Sequence, residues 1–549
     1  MKKTIYSIEN SYCLLGISID IAEQLDSALN DVPSIIKEDI WKALKSANKY
    51  LRNSIAMSFL KREAEARSII DYRMMSATHN DITIAAKISA LKFSILKKEK
   101  PILTPKELIK LFYESENSEG IPSFKLPLKL SKNFSEKLCS VKYLVKKISS
   151  AISQNREFLA MKLGLISKYG NSPVTKEAIN ELKISKRKTD SFIKNKVIAN
   201  TNTGEFYPLA SVSNQDNQKY AETLCLLNGL NEYAIRVGYS AAFVTITVPG
   251  SFRIKNKSNK QLLPNEINKY IQKKWNIYRK KSDQWVSPCY IFRVIEPHLD
   301  GTPHWHLMLF FPSHMRNKHK TSLLNAFDLK TTRSKRIDWR DICLHDKKVI
   351  GYLVDKIKNN FGPHNNTIQD SNENVKRAAY LSIWNINGHN FLGLPSITKN
   401  LWRNLKTKNY SHELPGPLVQ MREMIKGNRF ADFFELFLEH EKQIRIITTL
   451  TTSGKSKKVI GIKWNNQVYL SEKSEYEIMS ESQANQLKIE KSREIILNKP
   501  SNTKLSEKRK VVRNEIHTSP KTLKHTVAFP KFKSFAKRLW GLLINLFHK

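Results

Sequence analysis

Within eleven residues, the run Glu296-Pro297-His298-Leu299-Asp300-Gly301-Thr302-Pro303-His304-Trp305-His306 holds two carboxylates and three imidazoles, and the apolar Leu307-Met308-Leu309-Phe310-Phe311 follows. Read as a strand with period 2, it puts His304 and His306 on one face and Trp305, Leu307 and Leu309 on the other. Two imidazoles side by side on a stiff strand, met by Glu296 from an adjacent strand, have the chemistry to hold one divalent ion. The Gly301-Thr302-Pro303 turn would bring the two strands together. In a basic chain with a tyrosine downstream, that chemistry suggests cleavage of a DNA strand.

The pair alone decides little. Fourteen histidines in 549 residues give about 0.4 His-x-His patterns by chance, from 547 × (14/549)². The plain alternative is a pair of half-buried strand histidines with satisfied hydrogen bonds. The formal charge of +42, from 92 Lys and Arg against 50 Asp and Glu, shifts the balance. It exceeds what solubility needs and points to a polyanion, nucleic acid before an anionic membrane surface.

The elements that must position these groups follow from periodicity. Residues 1 to about 235 read mostly as helices. Within them, Thr175 through Leu182 suggests a short helix, followed by the basic Ser185–Thr189 with Lys186, Arg187 and Lys188 as a break, and a second helix near Phe192 to Ile198. That pattern fits a DNA-reading helix-turn-helix or a plain helical hairpin. From Ala242 to Val248 the sequence alternates and is rich in β-formers. A helix with Lys273, Lys274, Arg279, Lys280 and Lys281 around Trp275 and Tyr278 comes next. Cations mixed with rings suit a single strand through stacking and phosphate contacts, or a solvated helix face. Strands at Cys289–Glu296, His304–Phe311 and Ile337–Trp339 precede a helix at Val349–Asn359. The order predicts an α+β domain on an antiparallel sheet.

Residues 430–500 read as a helix, a hairpin around Thr452–Lys455 and a second helix. Between Lys504 and Lys549 there are 12 Lys or Arg against 2 Glu, as in a basic flexible arm, closed by the apolar Phe535–Phe547. We therefore expect five regions: 1–150 helical, 151–235 a helical lead-in, 236–425 the nicking domain, 426–497 a small α+β region and 498–549 the basic tail. Five scattered cysteines fit a reducing cytoplasm. No signal peptide and no stretch of 18 apolar residues is seen, so stable membrane insertion is not expected.

Tyr352 lies in Gly351-Tyr352-Leu353-Val354-Asp355-Lys356, one helical turn from Lys356. A phenol with an ordinary pKa of about 10 needs a nearby cation and a polarised phosphate to act as a nucleophile. A metal on Glu296, His304 and His306 would polarise the phosphate, and Lys356 would supply the charge. Alone, such a tyrosine is ordinarily a packing residue.

Three blocks in order carry a resemblance: Glu296 to Phe310, then Gly351-Tyr352-Leu353-Val354 with Asn359-Asn360, then Arg377 to Ile386 with Gly393-Leu394-Pro395-Ser396 to Trp402-Arg403. Over roughly residues 155 to 410 the chain resembles the bacteriophage replication gene A protein family, HUH-class initiators of rolling-circle replication. The resemblance implies a site-specific single-strand endonuclease and ligase, with His304 and His306 as metal ligands and Glu296 as the third. It implies Tyr352 as the nucleophile of a 5′-phosphotyrosine intermediate and His298 as an outer-shell or DNA-contacting residue. Lys356 stands where the family has its second tyrosine, a pattern closer to single-tyrosine HUH nucleases. Mg²⁺ or Mn²⁺ is the implied cofactor. The implied partners are single-stranded origin DNA, a host helicase and a DNA polymerase, in the cytoplasm of a bacterial host. An HUH relaxase or transposase, and a non-catalytic origin-binding protein, are the alternatives.

Overall fold

The computed structural model describes residues 12, 15–118, 132–166, 172–213, 215–253, 262–285, 288–329, 336–345, 371–450, 457–472 and 475–497. The expected helix at Val349–Asn359, with Tyr352 and Lys356, lies outside the described residues, as does the basic tail. The strands are β1 (Val197–Asn200), β2 (Phe206–Pro208), β3 (Tyr239–Ile246), β4 (Tyr290–Pro297), β5 (Pro303–Pro312), β6 (Ile337–Ile342), β7 (His389–Leu392), β8 (Ile444–Leu450), β9 (Lys457–Trp464), β10 (Gln467–Leu470) and β11 (Tyr476–Met479). Helix and antiparallel sheet are mixed, as an α+β chain requires. The chain divides into two units, residues 1–183 with 238–393, and residues 184–237 with 394–549.

The first unit is built on a five-stranded sheet of order β6-β3-β5-β4-β7, antiparallel at every pairing. Alternation decides its faces. Ile246, Ile295, Trp305, Leu307 and Leu309 point into the main core with Trp275 and Tyr278. The helix Pro264–Ser282 covers this face, with Trp275 against Trp305 at 6.2 Å between ring centroids and the Trp305 indole donating to Asn268. The opposite face carries Thr245, Glu296, His304 and His306 at paired positions of β3, β4 and β5. All of β5 is buried, so its histidines sit under a second layer.

That layer includes the helix Ser371–Ile383 and the end of the helix Val141–Leu163. Tyr380 donates to the carbonyl of Gly301 at 2.9 Å, and Met161 lies against Gly301. Gly301 has φ +78°, so this turn position needs glycine for its backbone.

The basic segment after Thr175 departs from expectation. Lys176–Lys194 is one unbroken helix, with no break at Ser185–Thr189. No Gly or Pro interrupts that stretch, and straight-chain Lys and Arg are good helix formers. Lys186, Arg187 and Lys188 are exposed on it. Its start is fixed by Thr175, whose hydroxyl accepts from the amide of Ala178 and whose own amide and hydroxyl donate to Glu157 at 2.9 and 2.8 Å.

In the second unit, β1 pairs with both β2 and β11, although β11 lies far along the chain. A second three-stranded sheet is ordered β10-β9-β8. The expected hairpin near Thr452–Lys455 is the β8–β9 pair, and its connecting residues lie outside the described ones. Phe430, Phe433, Phe434 and Phe437 share one face of the helix Phe430–His440, packing with Trp402. Arg236 pairs with Asp432 at 2.7 Å at the edge.

Glu157 is fully buried, and burial pushes its carboxyl up to about 7 against the helix-start hydrogen bonds that favour the anion. A folded-state pKa above the unfolded value means stability present in full below about pH 4.5 and lost as pH rises through about 7. Glu157→Gln keeps an acceptor for the Thr175 amide. It should stabilise the fold at pH 8 by up to about 3 kcal/mol relative to wild type, seen as a higher melting temperature. The gap should close towards pH 5; a gap independent of pH in thermal melts would count against a buried, titrating Glu157.

Candidate metal centre

The site starts from register. Glu296 pairs with His304 and Val294 with His306 across β4 and β5, while Thr245 of β3 pairs with His306 from the other side. Directly opposite residues of an antiparallel pair share a face. The period-2 reading of the histidines and the arrival of Glu296 on the neighbouring strand are therefore both borne out by the geometry.

The donor atoms converge. Nε2 of His304 and Nε2 of His306 are 3.0 Å apart, and Oε2 of Glu296 lies 3.9 and 3.2 Å from them. Within 4.8 Å of one another, this carboxylate and two imidazoles form a group able to hold a metal ion. His306 has Nδ1 at 3.1 Å from Thr245 Oγ1 and its ring against Phe243. A proton on Nδ1 donated to Thr245 leaves Nε2 with its lone pair towards the other donors. His304 is held uncharged. Burial first, then the neighbouring His298 and His306, pushes its pKa down to about 2.

Glu296 is a buried anion and needs a countercharge. Arg377, itself buried, supplies it. One guanidinium nitrogen donates to Oε1 of Glu296, and the other donates to the carbonyl of Ile295 at 2.8 Å. The carboxylate is thereby split in role: Oε1 faces arginine, Oε2 faces the imidazoles. The residues present fit a divalent ion bound by one oxygen and two nitrogens, with a carboxylate too constrained to rotate away.

His298 stacks on His304 at 4.1 Å between centroids. Burial, and then Arg253, lowers its pKa. Its backbone amide donates to the carbonyl of Thr302 and its carbonyl accepts from Gly301, closing the turn. The structure thus brings His298 to the ligand set as a packing neighbour. Lys273, Lys274, Arg279, Lys280 and Lys281 are not brought to it: their helix covers the other face of the sheet. There Lys274 pairs with Asp328, Arg279 with Asp283, and Trp275 and Tyr278 are wholly buried. Base stacking on those two rings is excluded, because the helix uses them as its core face. Sequence reasoning assigned no role to Arg377 or Thr245. Arg377 stood inside a quoted block; Thr245 is visible only as the register partner of His306.

Residues 99–348 match the family model of the bacteriophage replication gene A protein. Over these residues the chain is similar to that family. It is 26% identical over 357 residues to the probable replication protein P12 of Pseudoalteromonas phage PM2, covering 59% of this chain and 55% of that one. The replication gene A protein of Escherichia phage P2 is 25% identical over 51% of this chain and 38% of its own length. A probable replication endonuclease from a prophage-like region of Salmonella typhimurium is 28% identical over 31% of this chain and 22% of its own. The chain thus spans about half or less of the length of these relatives. No solved structure matches it. The family match holds the ligand strands and ends before Tyr352.

Arg377→Met should weaken Mn²⁺ binding about 10- to 100-fold, as loss of an outer partner of a metal ligand does. It should also lower stability by about 3–5 kcal/mol, because Glu296 is left buried and unpaired. Calorimetric titration with Mn²⁺ and thermal melts read the two effects separately.

Proposed function

We propose that this protein is a metal-dependent, site-specific single-strand DNA endonuclease and strand-joining enzyme that initiates rolling-circle replication of phage or prophage DNA. The observation that carries the reading is the convergence of Glu296, His304 and His306 in a chain similar to a phage replication family. An antiparallel sheet with a His-x-His pair on its middle strand is the scaffold expected of an HUH nicking domain, which we assign to residues 236–425. The regions 1–150, 151–235, 426–497 and 498–549 flank it as accessory and DNA-holding parts. In this reading the protein acts in the cytoplasm of a bacterial host, with a host helicase and DNA polymerase as partners.

A divalent ion, Mg²⁺ or Mn²⁺, would polarise the scissile phosphate and offset its developing charge. Glu296, His304 and His306 would hold it, and Arg377 keeps the carboxylate in place. Tyr352 is the nucleophile. Its oxygen bonds to phosphorus as the bond from phosphorus to the 3′ oxygen breaks. The phenolic proton passes to solvent, and the departing oxygen takes one up. The products are a 5′-phosphotyrosine and a free 3′-OH primer, so the phosphoester bond is kept for later rejoining. Lys356, one helical turn away by sequence, lowers the cost of the phenolate. Lys186, Arg187 and Lys188, with Lys273, Lys280 and Lys281, add phosphate contacts or long-range attraction.

A second reading, a non-catalytic origin-binding protein, draws on the family match ending before Tyr352. A relaxase or transposase would nick in the same way. Incubation with single-stranded DNA from its own coding region and Mn²⁺ should give an SDS-resistant adduct that mass spectrometry maps to Tyr352. Tyr352→Phe should abolish the adduct and leave DNA binding within a few fold. His304→Ala and His306→Ala should each abolish cleavage. Tight binding with no adduct would favour the second reading, and an adduct on another tyrosine would move the nucleophile.

A further inference from the structure

The helix His79–Glu99 has two apolar faces. One is ordinary: Ile82, Ala86, Ala90 and Phe93 are buried with Leu108, Ile109, Phe112, Leu144 and Ile148, and Phe93 meets Phe112 edge-on at 5.1 Å. The other faces solvent. Ile84, Ile88, Leu91 and Ile95 are 48, 48, 62 and 45% exposed. Their spacing is four, three, four, which on a 3.6-residue helix forms a single stripe about 16 Å long, on the side opposite the core. Single exposed apolar side chains are ordinary; four in heptad register are the pattern of a helix seam. The helix is well made without a cover, since Thr78 and Asp81 form a capping box at its start. The stripe is thus not explained by the folding of its own unit. Nearly all of this helix also precedes the family match, which begins at residue 99, so the nicking reaction does not account for it.

The charges beside the stripe say what would cover it. Lys87 and Lys98 flank one side and Lys92 the other, and no Asp or Glu lies between Asp81 and Glu99. A second copy of the same helix would set these lysines against lysines in either orientation, and flanking charges of this kind decide partner choice in helix pairs. We infer that Ile84, Ile88, Leu91 and Ile95 form a docking seam for an amphipathic helix of another protein, one that carries an apolar three-four stripe flanked by carboxylates. The helix-in-groove mode of recognition supplies the affinity, and the Lys–carboxylate rim supplies the choice of partner.

The test uses the full chain and two fluorescein-labelled synthetic helical peptides with leucine at three-four spacing, one flanked by glutamates and one by lysines. Fluorescence anisotropy should show the glutamate peptide binding at least tenfold more tightly than the lysine peptide. Ile88→Asn with Leu91→Asn should weaken it at least tenfold. Both sites are exposed, and unchanged thermal melts would confirm an intact fold. Lys87→Glu with Lys98→Glu should reverse the preference between peptides. No binding of the glutamate peptide, or binding indifferent to the Ile88 and Leu91 changes, would overturn the inference. So would a wild-type dimer in sedimentation equilibrium that those changes turn into monomer, because the occupant would then be a second copy.

Discussion

Everything at the metal centre depends on the register between β4 and β5. The pairing of Glu296 with His304 puts one carboxylate opposite two imidazoles. A slip of one residue in β4 would send Glu296 to the apolar core face beside Trp305, where burying a carboxylate is costly. Two features resist that slip. The turn is closed by hydrogen bonds between His298 and both Gly301 and Thr302, with Gly301 in the left-handed region. Tyr380 then pins the same turn through the Gly301 carbonyl. The apolar face adds its own constraint, since Trp305 and Leu307 can be buried only when His304 and His306 point the other way.

Charge at the site is set by what surrounds Glu296. Imidazole lone pairs turned towards a metal cannot balance a buried carboxylate, and β5 is buried throughout. Arg377 resolves this by pairing with Oε1 while leaving Oε2 to face the histidines. The same contact has a chemical consequence. A guanidinium on one oxygen withdraws charge from the whole carboxylate, so the group is a weaker donor than a free one. An ion held by such a set keeps more of its positive charge for whatever completes its shell. Preorganisation and Lewis acidity are thus favoured by one hydrogen-bonded pair, and the fixed orientation of Oε2 outweighs its weaker donation in metal affinity.

How much of this was legible in the sequence follows the range of the interactions involved. Strand alternation is local, so the faces of β5 and the proximity of Glu296 could be read directly from residue types. Helical content before residue 235 could be read in the same way. The break expected near Ser185 fails because a basic, polar stretch has no apolar period to mark whether a helix continues; hydrogen bonding and propensity alone carry it through. β1 could not be recognised as a strand from its own four residues, because its second partner, β11, lies far along the chain. Arg377 is also far from Glu296, 81 residues along the chain, and nothing in its neighbourhood marks it as the counter-ion. The aromatic residues among the lysines of the helix Pro264–Ser282 were open to two readings. Packing against Trp305 chose the core for Trp275 and Tyr278.

That choice bears on how so large a positive charge could serve a site where, among the described residues, Arg377 is the one buried cation at the ligands. The lysines of the helix Pro264–Ser282 cover the face of the sheet that the triad does not use, with a layer of aliphatic and aromatic side chains between. Charges so placed cannot contact a phosphate that a metal ion on Glu296, His304 and His306 would bind. Their influence on a strand there falls with the Debye length, about 8 Å at physiological salt. They act on encounter and retention, the salt-sensitive part of binding, in which released counterions dominate. Selection of the scissile bond has to come from groups on the site face itself. The described side chains on that face nearest the triad are Thr245, Phe243, His298 and Arg377, each already engaged with a ligand residue. On the proposed function, the groups that would read DNA at the point of cleavage are to be sought on other segments that border this face.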